Sequence, residues 1–195
     1  MRYTAEHKES VREKIILQAA RQFRQSGYNG VSIDTVMAKA GLTRGGFYSY
    51  FKSKADLFAA VIRSQHEFLD RLKARTAENR KSLVTEGAKI ASDYVSKEHR
   101  KGVIKGCGIA SLAMDTWRSP QASKRAYAGA VRDLIGEFER GLPASEPLDQ
   151  RAVEAVILSV GALLLANATD ADEALADRIS TTAQAAIKRS LIGIN

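Results

Sequence analysis

The side chains best suited to chemistry in this 195-residue chain gather between Ser32 and Lys54, in the stretch SIDTVMAKAGLTRGGFYSYFKSK. Arg44 carries a guanidinium whose paired N–H groups can fork onto O6 and N7 of guanine, a contact worth about 1–3 kcal/mol of base discrimination. Gly45 and Gly46 follow directly. Each costs a helix about 1 kcal/mol relative to alanine, so the pair points to close approach of backbone to a partner. Elsewhere the reactive residue types do not assemble. The three histidines, at 7, 66 and 99, are far apart, and Cys107 is a single cysteine that can form no internal disulfide. No metal-spaced cluster, glycine-rich phosphate loop or nucleophile elbow is present, so an enzyme is not expected, nor a cofactor or metal.

The elements that must hold Arg44 can be read from caps and turns. Ser32 is placed to cap a helix over Ile33 to Ala40, its hydroxyl accepting from an orphan amide. Gly41 turns the chain, and Thr43 is placed to cap a second helix running to about Phe51. Two short helices about a tight turn form a helix-turn-helix, whose second helix enters the DNA major groove. Phe47 and Phe51, four residues apart, are expected to pack its core. A preceding helix from about Ser10 to Gln25 carries Val11, Ile15, Leu17, Ala19, Ala20 and Phe23 on one stripe and stops at Gly27. Ser53-Lys54-Ala55-Asp56 has the form of a capping box. It opens a long helix through Leu57, Val61, Phe68 and Leu72 to about Ala77. Further helices are expected at about 81–99, 103–117, 120–141, 150–168 and 172–191. Asp149 caps the fourth of these, and Asp170 with Glu173 resembles a capping box for the fifth. The fold class is all-α: a three-helix head, residues 1–54, and a larger helical body, residues 55–195, about nine helices in all.

Charge agrees with this division. The formal net charge is +8, and residues 1–54 hold ten Lys/Arg against four Asp/Glu. A basic excess beside a reading helix is the footprint of a polyanion partner. The N-terminus is too charged for an apolar targeting core. The longest apolar run, Ala155 to Ala168, is shorter than the roughly 20 residues needed to span a bilayer, so no membrane partner is expected, and a lone cysteine fits a reducing cytoplasm.

Residues 10–58 resemble the DNA-binding head of the TetR family of bacterial transcriptional regulators. The likeness rests on Gly27-Tyr28, Ser32-Ile33, Ala40-Gly41-Leu42 and the run Gly46-Phe47-Tyr48-Ser49-Tyr50-Phe51-Lys52-Ser53-Lys54-Ala55-Asp56-Leu57. It implies a homodimer that sets two heads in successive major grooves, about 34–36 Å apart, on a near-palindromic operator in double-stranded DNA, usually as a repressor. It implies that Tyr48 reaches phosphate or a thymine methyl and that Ser49 and Tyr50 stand at contact positions. Serine is shorter than the aromatic common at its place and reaches less far. Lys54 matches a phosphate-binding lysine at a helix start, where the positive dipole end adds attraction. Ser32 is a further phosphate candidate. The DNA-binding set is therefore Ser32, Thr43, Arg44, Gly45, Gly46, Tyr48, Ser49, Tyr50 and Lys54.

The resemblance also implies a cavity in the body for a small-molecule effector, with His66, Tyr94, Cys107, Met114, Trp117 and Tyr127 as candidate lining. Cys107, in Lys105-Gly106-Cys107-Gly108 at a predicted helix start near a cation, has the surroundings that lower a thiol pKa, so a cysteine-based electrophile or redox sensor is an alternative to a conventional effector. A helical interaction module that does not bind DNA is a further alternative, though it would not need the basic head. The helix at about 150–168 is apolar on most sides, which calls for full burial. It is expected, with 172–191, at the subunit interface.

Overall fold

The computed structural model describes residues 5–64, 66–101, 108–143 and 148–193, and among these there are helices and no strands. In chain order the helices are α1 (Ala5–Gly30), α2 (Ile33–Lys39), a 3₁₀ helix (Arg44–Ser49), α3 (Lys54–Ser64), α4 (Glu67–Lys73), α5 (Arg80–Tyr94), α6 (Lys97–Lys101), α7 (Gly108–Ser111), α8 (Ala113–Trp117), α9 (Gln121–Glu139), α10 (Gln150–Ala168) and α11 (Glu173–Ile192). The all-α expectation holds, with more and shorter helices than the sequence suggests.

Two compact units form, Met1–Gln65 with Ser111–Gly129, and His66–Ala110 with Ala130–Asn195. The first, the head unit, therefore takes in a segment from the middle of the chain as well as the N-terminal region. Its core joins Ile15, Ala19 and Phe23 of α1, Val36 and Met37 of α2, Phe47, Phe51, and Leu57, Phe58 and Val61 of α3. Leu112 is fully buried in the same core, and Tyr127 packs against it. The edge-on contact of Phe23 with Phe58, at 5.0 Å between centroids, is a favoured aromatic geometry. Gly27 breaks the helical path of α1 with φ +67°, as a glycine stop should, though the helix starts at Ala5 rather than near Ser10.

The second, the body unit, is built on the α10–α11 hairpin with α5 against it. Ala152, Ala155, Ser159 and Ala166 of α10 are buried, and so are Ala176, Ser180, Ala183 and Ile187 of α11. Small residues let the helices approach closely. Polar cross-ties reinforce them: Ser190 donates to Glu154 at 2.8 Å, and Gln184 Nε2 donates to the Ser92 carbonyl at 3.0 Å. Arg75 is almost wholly buried. Its guanidinium donates to the carbonyls of Leu72 at 2.8 Å, Leu83 at 2.7 Å and Glu137, tying α4, α5 and α9 together.

Several expected elements differ. The long helix from Ser53 to Ala77 is two helices, α3 and α4, because His66 leaves the helical path with φ −129° and ψ 65°. Its apolar phase continues across the break, which is why periodicity hides it. The helix at 103–117 is described only from Gly108 and is broken into α7 and α8 at Leu112. Asp172, not Asp170, caps α11, accepting from the Leu175 amide at 3.0 Å. α10 is not covered on every side within this one chain: Ile157 is 63% exposed and Leu165 59%. α10 is long and apolar enough to cross a membrane by composition alone, yet its small-residue side is packed on α11 and α5.

Candidate nucleic-acid interface

The helix-turn-helix forms where the residues place it. Ser32 Oγ accepts from the Thr35 amide at 3.0 Å and shares a hydrogen bond with Thr35 Oγ1 at 2.8 Å. These two bonds use two of the three hydrogen-bonding places of the hydroxyl, at the exposed start of α2. Gly41 turns the chain at φ +72°, and the Leu42 amide returns to the Met37 carbonyl at 2.9 Å. Ser53 Oγ accepts from the Asp56 amide at 3.1 Å, and Asp56 Oδ2 accepts from the Lys52 amide at 3.0 Å. This is the predicted capping box with its return bond shifted one residue upstream.

The second element of the motif is a 3₁₀ helix over Arg44–Ser49, not an α-helix to Phe51. Two successive glycines, poor in helix propensity, agree with a short and tighter coil. Thr43 has the extended backbone of an N-cap, but its side chain makes no capping bond. The expected cap is absent, and Thr43 stands exposed. A methyl group at Gly45 would meet nothing within 4 Å, and at Gly46 it would touch only Met37 Cε at 3.8 Å. Nothing within the described protein requires glycine at either place.

The coil has two faces. Phe47 is completely buried and Phe51 nearly so, with their rings 5.7 Å apart. Arg44, Gly45, Tyr48 and Ser49 are exposed. Tyr48 is 64% exposed, an unusual place for an aromatic ring, and is set edge-on over Phe47 at 5.3 Å. Tyr50 is only half-exposed and packs against the core. Arg44 Nη1 donates to Asp34 Oδ2 at 2.7 Å, so the guanidinium is tethered across to α2. Both side chains of that ion pair are exposed, where such pairs contribute about 0–1 kcal/mol.

Lys54 begins α3 and is half-buried. Its ammonium lies 4.5 Å from the ring centroid of Tyr28, a cation–π arrangement. Burial lowers its pKa and the negative charge of Asp115 raises it, with burial the larger effect. Asp115, from α8, also faces the kink of α1: a methyl at Gly27 would stand 3.4 Å from its carboxylate oxygens. A segment remote in sequence thus reaches the anchoring end of the motif. The sequence carries no local signal of that contact.

The effector candidates fall in both units. His66 and Tyr94 are buried in the body unit. Tyr94 stacks on Phe68 at 4.0 Å and lies 5.0 Å from the His99 ring. Burial lowers the His99 pKa, Glu67 raises it and Arg71 lowers it further. Met114, Trp117 and Tyr127 belong to the head unit. There Tyr127 packs on the core, while Met114 is 54% exposed and Trp117 65% exposed, with Arg118 5.6 Å from the indole. Two side chains that exposed do not line an enclosed cavity within their unit. Cys107 lies outside the described residues. Among the described residues no group of three or more His, Cys, Asp or Glu could hold a metal ion.

The comparisons with known proteins bear on this same region. The family profile described as "Bacterial regulatory proteins, tetR family" matches residues 15–61. The probable HTH-type transcriptional regulator ArpR of Pseudomonas putida is 36% identical over 83 residues, which are 43% of this chain and 39% of ArpR. The chain therefore matches well under half the length of that relative. The fold of the whole chain is similar to that of NemR of E. coli in its reduced form, with a TM-score of 0.73 at 21% identity, covering 92% of this chain and 96% of NemR. It is also similar to that of SmeT in complex with triclosan, with a TM-score of 0.66 at 18% identity, covering 94% and 91%. The head is thus matched over residues 15–61 by the profile of the bacterial tetR regulatory proteins, and the whole chain shares its fold with these two solved structures.

Proposed function

We propose that the chain is a transcriptional regulator, in the repressor manner, that binds a near-palindromic DNA operator as a homodimer and is released by a small-molecule effector. The observation that carries this reading is the two-faced 3₁₀ helix. Buried Phe47 and Phe51 form its floor, and Arg44 and Tyr48 project from it into solvent. Arg44 would read guanine, Tyr48 would reach phosphate or a thymine methyl, and Thr43 and Ser49 would stand at the interface edge. Tyr50 would have only its exposed side to offer. Gly45 and Gly46, which no packing neighbour requires, would admit the DNA backbone closely. Ser32 and Lys54, at the starts of α2 and α3, would fix phosphates. Lys54 is suited to that role because it begins α3, where the positive end of the helix dipole adds to the attraction for an anion.

The exposed face of α10 supports dimerisation through α10 and α11. Ile157 and Leu165 lie two turns apart, with Gly161 between them leaving room for a facing helix. Buried His66 and Tyr94 would be contacts for the effector in the body, with Cys107 still a candidate, in a chain whose fold neighbour SmeT is seen with triclosan. The chain crosses between the two units at 65–66, 110–111 and 129–130. An effector that favours one arrangement of the body by a few kcal/mol can thus shift the head population through three covalent leads. These readings place the protein in the cytoplasm, where its operator is.

The test is binding of the purified protein to the DNA upstream of its own gene across a salt titration. The reading requires sequence-preferring binding whose log affinity falls linearly with log salt, by nearly one power per phosphate contact. Binding with no sequence preference and no salt slope would refute it.

A further inference from the structure

The tether between Arg44 and Asp34 has no evident structural purpose. The pair is exposed, and exposed ion pairs add little to stability. Asp34 also sits where it should hinder binding to a polyanion. It is the one carboxylate between Ser32 and Lys54, on the face that carries Arg44, where it repels phosphates. A residue that adds little to folding and opposes non-specific attraction needs another explanation, and the geometry supplies one.

Asp34 is itself fixed. It lies in the first turn of α2, whose start is locked by the Ser32–Thr35 cap, and the helix dipole favours a carboxylate there. Arg44, a long side chain at the first position of a 3₁₀ helix that contains two glycines, has little else to define its direction. One hydrogen bond, from Nη1 to Asp34 Oδ2 at 2.7 Å, joins the mobile group to the fixed one. The bond to Asp34 uses Nη1 and leaves the Nε–Nη2 edge of the planar guanidinium out of the tether. Those two donors are a pair of the geometry that matches O6 and N7 of guanine. A pre-oriented fork loses less freedom on binding and penalises a wrong base more sharply than a freely rotating one.

Building on the DNA-reading role proposed above, we infer that Asp34 is a positioning residue for specificity: it aims Arg44 at guanine and, by its charge, suppresses binding to sequences that lack it. Removing the carboxylate lowers discrimination without lowering general affinity, a combination that neither a structural residue nor a simple DNA contact produces.

The experiment uses full-length protein and a duplex enriched by the wild type from a random library. Each guanine of that duplex is then replaced in turn by adenine with its pairing partner. Dissociation constants are measured for wild type, Asp34→Ala, Asp34→Asn, Arg44→Ala and the double Ala variant, with melting midpoints alongside. At the guanine read by Arg44 the wild type discriminates by roughly 5- to 150-fold. Asp34→Ala loses most of that ratio, while its affinity for the guanine-replaced duplex is unchanged or higher. Asp34→Asn, which keeps an acceptor oxygen but not the charge, falls between. In the Arg44→Ala background Asp34→Ala changes the ratio no further. Wild-type ratios in both Asp34 variants would overturn the inference, as would equal weakening on every duplex or a large fall in melting midpoint with discrimination intact. Failure of the wild type to enrich any duplex would instead remove the DNA-reading role beneath it, so the two failures are distinguishable.

Discussion

The head and body units both bury aromatic side chains, and the body adds close small-residue helix packing and long-range polar ties. The head packs large apolar side chains close together, with Phe23, Phe47, Phe58, Met37 and Leu57 almost wholly inaccessible. Of its cations, Arg44 is exposed and tethered, and Lys54 is half-buried against Tyr28. The body packs small residues along α10 and α11 and adds polar ties across long stretches of chain. Arg75 bridges three elements, and Asp177 holds Lys97 at 2.8 Å and Arg100 at 2.5 Å. A dense aromatic core gives a rigid platform for a reading face. Close helices joined by directional bonds can settle in more than one register, which would suit the effector response proposed above.

This contrast can be broken most severely in the head. Phe47→Ala leaves a void under the 3₁₀ helix, and loss of a fully buried phenylalanine costs about 3–5 kcal/mol. Denaturant unfolding should show that loss, and a cost below 1 kcal/mol would mean the head core is not the support described. The body counterpart is Arg75→Ala, which removes the guanidinium hydrogen bonds to the carbonyls of Leu72, Leu83 and Glu137. At about 1.5–3 kcal/mol for a hydrogen bond from a charged group, with the three not strictly additive, a total near 3 kcal/mol is expected in the same assay. Gly87→Ala should probe that tie independently, because its methyl would lie 2.6 Å from Arg75 Nη1.

Smaller effects sharpen the comparison. Ser32→Ala should cost about 1 kcal/mol, while Thr43→Ala, which loses no capping bond, should stay within about 0.5 kcal/mol; equal losses would show that Thr43 caps after all. Acid titration should single out the body. Glu173 is held down to about 2 from its ordinary 4.5 by hydrogen bonds from Lys101 and Lys97. The Asp177 carboxyl is held below its ordinary value chiefly by the hydrogen bond from Lys97. A depressed carboxyl stabilises the fold fully above its unfolded value and loses that contribution as pH falls through the folded one. Melting followed from pH 5 to pH 2 should therefore fall less steeply in Glu173→Gln than in wild type, and parallel curves would remove Glu173 from the account.

The same contrast explains what could be read from the sequence. The head was legible because its signals are local. Ser32 caps the helix it precedes, Gly41 and Gly27 take the left-handed turns expected of them, and Phe47 and Phe51 lie inside. The miss at Thr43 is also local: a capping residue type and a capping backbone were present, but the bond was not made. Distant partners were not legible. Nothing near Leu112 or Asp115 signals that one enters the head core and the other faces the Gly27 kink. Trp117, a large aromatic that composition alone would bury, is exposed. The break before α4 was hidden because Leu57, Val61, Phe68 and Leu72 keep one apolar phase on both sides of it.

The central claim is that one short segment divides its work, with Arg44 reading a base and Lys54 holding the backbone. The most direct measurement compares Arg44→Ala and Lys54→Ala on the wild type's preferred duplex and on an unrelated one, each across a salt series. The account predicts that Arg44→Ala brings the two affinities together. Lys54→Ala should weaken both alike and reduce the salt slope by about one. If both variants lose discrimination equally, or Lys54→Ala leaves the slope unchanged, that division of labour is contradicted.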